Sequence, residues 1–152
     1  MHLRKLPKKI FYLFIVIYIL LPLAYPQENP FRKIVKTYYP DGTIKTEGDY
    51  LYDKLDGHYK EFYPNGKLWK DWNYVDGKEE GISIWYFQDG IVSIEWNYLN
   101  GVKDGTSKWY YETGELWAEQ NYIGGNLQGI TNTFYKTGEK QGEWNYIDGV
   151  LQ

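Results

Sequence analysis

The chain is 152 residues long, room for one small domain and a leader, and its lack of cysteine excludes a disulfide framework, a thiolate zinc site, a thiol nucleophile and a cysteine-linked lipid anchor. Its formal charge is −3, but Arg4, Lys5, Lys8 and Lys9 stand in a leader without acids, so the remainder holds 13 basic against 20 acidic side chains, or −7. A domain that acidic repels phosphate backbones and anionic headgroups, and nucleic acid is not expected as a partner.

Residues 1–26 read as a secretory leader. A basic start is followed by the apolar run Ile10–Leu21, which Pro22 then breaks. The run falls short of the roughly 20 residues that span a bilayer. Carried on through Tyr25 it reaches 16, enough for an uncleaved anchor. A cut after Ala24 leaves Pro22 at the −3 position, an unfavourable residue there. The chain is therefore expected to be exported (periplasm, cell surface or secreted), or membrane-anchored if this hydrophobic helix stays on. Membrane contact is expected through this segment alone. Residues 27–33 read as a linker.

From residue 34 onward the sequence repeats every 24 residues. Glycine stands at 42, 66, 90, 114 and 138 and again at 57, 81, 105 and 129, and tyrosine at 50, 74, 98, 122 and 146. A fixed period of this size marks an array of stacked supersecondary units. Five units follow: 34–57, 58–81, 82–105, 106–129 and 130–152. Each holds two runs rich in aromatic and branched residues between turn signals, which is the signature of strands. The first turn of a unit is Pro40-Asp41-Gly42, Pro64-Asn65-Gly66 or a counterpart. The second is Asp76-Gly77, Asn100-Gly101, Gly124-Gly125 or Asp148-Gly149, dipeptides that suit tight hairpins. Turns this short make successive strands antiparallel neighbours. The expected fold class is all-β, an elongated single-layer antiparallel meander of about ten strands, on the order of 45 Å long. The end units depart from the pattern at Lys33 and Gly48 and at Lys140 and Gly142, as ends of arrays do.

If residues 64 and 67 flank a two-residue turn, Lys60 faces Asp71, Lys36 faces Glu47 and Lys108 faces Glu119. Such cross-strand pairs stabilise by roughly 0.2–1 kcal/mol each, and a one-residue slip would break all three. One face then collects Tyr63, Leu68, Trp72, Tyr74, Trp85, Trp96, Trp109 and their repeats. The other carries the lysine–acid pairs and Asn73, Asn97, Asn121 and Asn145, with Phe62, Trp69 and Trp117 among its aromatics. A single layer hides an aromatic face only by curling over it, dimerising on it or binding something with it. Two readings stand. The aromatics pack on one another along a coiled groove, or they form a binding surface with Trp72, Trp85, Trp96 and Trp109 as candidate partner-binding anchors. On the second, Trp96→Ala weakens partner binding and leaves the fold intact.

No reaction is legible. His58 has Ile34, Ile82, Thr106 and Ile130 as counterparts and reads as a surface histidine at a strand start. Ser83, Ser93 and Ser107 have no repeated base near them. The acid column Glu47, Asp71, Glu95, Glu119 and Glu143 reads as a solvated ladder paired with lysines rather than a cation site. The glycine turns lack the following helix that cradles phosphate. No catalytic residue, cofactor or metal ligand is expected.

The unit Tyr59-Lys60-Glu61-Phe62-Tyr63-Pro64-Asn65-Gly66-Lys67-Leu68, continued by Tyr74-Val75-Asp76-Gly77-Lys78 and Gly81, resembles the bacterial variant of the MORN repeat. That variant occurs in proteins labelled YwqK-like antitoxins and in exported proteins named for their 24-residue repeat. The resemblance covers about residues 34–152. It implies a twisted antiparallel sheet used as a scaffold for protein contacts, and it supplies no catalytic residues. The leading expectation is an exported, non-catalytic scaffold with a protein partner. The alternatives are an antitoxin or immunity-type protein that caps a toxin, and a module that binds a cell-wall glycan. The stretch Trp109–Trp117 loosely resembles aromatic wall-binding hairpins, whose rings suit sugar or choline.

Overall fold

The Asp-Gly, Asn-Gly and Gly-Gly dipeptides decide where the chain reverses. Asp76 and Gly77 sit at φ of 49° and 81°, and Asn100-Gly101, Gly124-Gly125 and Asp148-Gly149 repeat the pattern. Two successive positive φ values make the turn whose twist matches the flanking strands. In the first unit Tyr52 and Asp53 take the same conformation without a glycine.

The computed structural model describes residues 29–152; the leader reading and the expected N-terminal hydrophobic helix lie outside the described residues. The described chain is all-β, and no helix in it is long and apolar enough to cross a membrane. Its strands are β1 (Arg32–Tyr38), β2 (Ile44–Leu51), β3 (Lys54–Phe62), β4 (Leu68–Val75), β5 (Lys78–Glu79), β6 (Gly81–Tyr86), β7 (Val92–Leu99), β8 (Val102–Lys103), β9 (Gly105–Tyr110), β10 (Leu116–Ile123), β11 (Asn126–Leu127), β12 (Gly129–Phe134), β13 (Lys140–Ile147) and β14 (Val150–Leu151). They form one open antiparallel sheet in the order β1-β2-β3-β4-β6-β7-β9-β10-β12-β13-β14, with β5, β8 and β11 pairing β4, β7 and β10.

The sheet has 14 strands where about ten were expected, because four are two-residue pieces. A bulge separates β5 from β6. Pairing stops at Tyr74 opposite Glu79 and resumes at Asp71 opposite Ile84. Asn73 pins the gap: its carbonyl accepts from the Glu80 N–H at 2.9 Å, and its Nδ2 donates to the Glu80 carbonyl at 3.1 Å. Gly81 follows at φ 76°, a left-handed backbone that favours glycine. The asparagine column therefore braces bulges: the Asn97 carbonyl accepts from the Asp104 N–H at 3.0 Å, while its Nδ2 donates past the bulge to the Thr106 carbonyl.

The first turn of each unit differs from the expectation. Only the glycine of each first turn takes a positive φ (Gly66 at 80°, Gly90 at 101°, Gly114 at 95°), whereas a two-residue turn of this kind needs positive φ at both positions. The loop is instead three residues, Pro64-Asn65-Gly66. The Gly66 N–H donates to the Tyr63 carbonyl at 2.9 Å, and the Tyr63 N–H donates to the Lys67 carbonyl at 2.8 Å. The extra residue is absorbed at Trp69, between the pairs Phe62 with Leu68 and Glu61 with Lys70. Beyond that bulge the expected register holds: Lys60 opposes Asp71, Lys36 opposes Glu47 and Lys108 opposes Glu119.

Side chains tie each unit to the next. The Tyr39 hydroxyl donates to the Phe62 carbonyl (2.7 Å), Tyr63 to Tyr86 (2.8 Å) and Tyr111 to Phe134 (2.9 Å). At the other margin Glu80 accepts from the Asn100 N–H (2.8 Å), Asp104 from Gly124 (3.0 Å) and Gln128 from Asp148 (2.8 Å). Phe87 occupies the tyrosine column without a hydroxyl. Phe87→Tyr supplies the missing bond to the Tyr110 carbonyl and raises unfolding free energy by about 1 kcal/mol, read from a urea titration. No gain would show that this carbonyl is already satisfied by solvent.

Candidate functional site

Alternation along the strands sends Trp72 of β4, Trp85 of β6, Trp96 of β7 and Trp109 of β9 to one face, on four strands that are neighbours in the sheet. Ring centroids lie 6.5 Å apart for Trp72 and Trp85, 6.2 Å for Trp85 and Trp96, and 5.7 Å for Trp96 and Trp109. The structure thus gathers all four expected anchors into one continuous row, extended by Tyr59 against Trp72 (5.7 Å) and Tyr98 against Trp96 (6.3 Å). Spacings of this size are those of favourable aromatic pairs.

The row is half-buried rather than proud of the surface. Its rings rest on a column of small residues, Ser83, Ser107 and Thr131, which are 1%, 0% and 5% exposed. Ser83 stands directly opposite Trp96, and Thr131 opposite Trp144. Large and small therefore alternate across the hairpin. These serines matter as spacers; the one trace of that role in the sequence is the recurrence of a small residue at 83, 107 and 131, where the second unit has Tyr59. The buried Trp96 Nε1 and the Ser83 and Ser107 hydroxyls have no hydrogen-bond partner. The packing also corrects the expectation for Trp96→Ala: a ring in contact with three others cannot be removed with the fold untouched.

Trp69 belongs to this face, not the opposite one. Its ring lies 5.5 Å from that of Tyr63, and it shares Lys70 with two ladder rings. The Lys70 Nζ is 3.9 Å from the Trp69 centroid, 4.6 Å from Trp85 and 5.0 Å from Trp72, and Glu61 sits 3.4 Å away. The bulge at Trp69 turned the side chain across. The same bulge pairs Leu68 with Phe62, which takes Leu68 off the tryptophan face. Trp117, the counterpart of Trp69, is 43% exposed.

Two charges enter the same trough where the flanking units have Leu55 and Leu127. Lys103 lies over the Trp96 ring at 2.8 Å from its centroid, and burial lowers its pKa while Glu79 raises it. Burial raises the Glu79 carboxyl, opposed by Lys103. Burial pushes the Tyr74 and Tyr98 hydroxyls up to about 12, with the charge of Glu79 adding to the effect. A carboxyl raised in the folded state favours folding below its unfolded pKa and loses that contribution as pH rises through the folded value. Stability therefore declines across that window, and Glu79→Gln removes that part of the decline. Unfolding midpoints at pH 4, 5, 6 and 7 check this; parallel pH profiles for the two proteins would contradict it.

On the opposite face the acid column is engaged piecemeal. Glu47 takes Lys36 at 2.7 Å, Asp71 takes His58 Nδ1 at 2.9 Å, Glu95 accepts from the Tyr110 hydroxyl at 3.0 Å and Glu143 takes Lys140 at 2.5 Å. Of the three lysine–acid pairs expected from the register, only Lys36–Glu47 closes to an ion pair among the described residues. Exposed lysines gain little by closing such pairs, and His58 competes for Asp71. Among the described residues no three His, Asp or Glu side chains converge as metal ligands. A search of curated proteins returns no match. A family model described as MORN repeat variant matches residues 33–52, 55–76, 79–100 and 103–123, more than half of the chain.

Proposed function

We propose that this chain, which belongs to the MORN repeat variant family, is a non-catalytic scaffold that holds a protein partner against its tryptophan row. The observation that supports this reading is the row itself. Four half-buried indoles stand in register across four strands along one face, while the only buried apolar residue among the described residues is Ala118. Aromatic side chains presented on a rigid sheet supply contact area at little entropic cost, and such residues dominate interface energetics. The basic-then-apolar leader supports an exported or membrane-anchored location for the scaffold. The alternatives carry less support: nothing in the trough favours a toxin over another protein, and the glycan reading rests on the Trp109–Trp117 stretch.

The test uses substitutions that keep the row packed. Trp109→Phe retains an aromatic contact with Trp96 and removes the indole edge. It is expected to weaken the partner complex by about 30-fold, the loss of one hot-spot residue. Ile82→Ser, on the opposite face, is expected to leave the affinity unchanged. Equal effects of the two substitutions would argue against the row as the contact surface.

A further inference from the structure

The junction between successive units is a repeated interface, and its two halves recur at the two ends of the sheet. Inside the sheet the first junction pairs three residues of one unit with three of the next, and each later junction pairs two with two. Ile94 and Glu95 oppose Trp109 and Lys108, and Ala118 and Glu119 oppose Thr133 and Asn132. One tyrosine hydroxyl also reaches a carbonyl 23 residues on. Stepping the pattern one unit further, Gly142, Glu143 and Tyr135 present the first half. Thr37, Lys36 and the Tyr38 carbonyl present the second. Among the described residues nothing pairs with the outer edge of β1, nor with Lys140–Glu143 on the side away from β12.

We propose that the chain associates head to tail with a second copy of itself, β1 of one copy adding to the outer edge of β13 of the other in the register of the inner junctions. Charge complementarity favours this occupant. Lys60 opposes Glu47 on one side and Asp71 on the other, and Lys108 opposes Glu95 and Glu119. Lys36 opposes Glu47 alone. The docked register supplies its second acid, Glu143 of the other copy. Tyr135, 49% exposed, would donate to the Tyr38 carbonyl as Tyr39, Tyr63 and Tyr111 do within the chain. All seven residues of β1 are exposed, and an unpaired strand edge is a template for another strand. The interface uses two different surfaces and does not close on itself, so it adds copies in a row. The inference stands apart from the tryptophan row and survives if that reading fails.

Sedimentation of the full chain over a range of concentrations tests it. The wild type is expected to grow in whole multiples of one chain. The inner pattern places the N–H groups of Lys36 and Glu143 on the outward edges, so Lys36→Pro blocks one end and Glu143→Pro the other. Each alone is expected to remain a single chain, and an equal mixture to form a pair that grows no further. Circular dichroism establishes that both are folded; where a proline variant is not, Lys36→Glu and Glu143→Lys each remain a single chain through like charges opposed across the junction, and their equal mixture, with opposite charges at both junctions, grows again. A wild type that stays a single chain at every concentration overturns the proposal. So does a blocked variant that assembles as the wild type does.

Discussion

Trp96→Ala is expected to lower the free energy of unfolding by about 3 kcal/mol, the range for deleting a large aromatic side chain from packed surroundings. Trp96 is the hub of the row. Its ring packs against Trp85, Trp109 and Tyr98 at centroid separations of 6.2, 5.7 and 6.3 Å, and Lys103 covers it. Its removal leaves Ser83 facing an empty space on a sheet with almost no other core. Trp96→Phe keeps a ring in place and discards the unpartnered Nε1, so it should cost less, about 1 kcal/mol. Urea titrations of the two variants measure both values. A loss under 1 kcal/mol for the alanine variant would mean that the rings merely lie near one another.

The second large effect runs against the repeat. Position 48 is glycine where the second, third and fifth units have Trp72, Trp96 and Trp144, and the pattern alone would call for tryptophan. The geometry forbids it. A Cβ at Gly48 would meet the Tyr59 ring at 2.8 Å, the Tyr50 ring at 3.0 Å and Leu55 at 3.2 Å. Gly48 stands opposite Tyr59, in the column where Ser83, Ser107 and Thr131 are small. Gly48→Trp is expected to destabilise by about 2–3 kcal/mol through overpacking. Adding Tyr59→Ser restores the large-opposite-small order, and the pair should recover part of the loss, a non-additivity that a double-mutant cycle reads directly. Additive losses would show that the two positions do not share one packing site.

Much of the fold is legible because a 24-residue period repeats its own evidence. The lysine–acid register, the type of the second turn and the gathering of four tryptophans on one face all follow from residues that recur. What the period hides is local. The first turn is a three-residue loop in units with and without proline, and the bulge that compensates carries Trp69 to the tryptophan face. That displacement follows from the length of the loop and its left-handed glycine rather than from the alternation of apolar and polar residues. The glycines at 81, 105 and 129 mark only the period in the sequence, whereas in the structure they follow bulges held by Asn73, Asn97 and Asn121. The depth of the row was also hidden, because serine at 83 and 107 looks like a failed nucleophile until its position under the indoles is seen. Single departures from the period, such as Phe87, Gly48, Glu79 and Lys103, mark where packing or charge changes between otherwise equal units.

The most direct test of the row as a contact surface is crosslinking by position. A photoreactive phenylalanine analogue is placed at Trp85 in one protein and at Ile82 on the opposite face in another, and each is irradiated with the bound partner. The row predicts a covalent adduct from position 85 and none from position 82. An adduct from position 82 with none from position 85 would place the partner on the other face and contradict the reading.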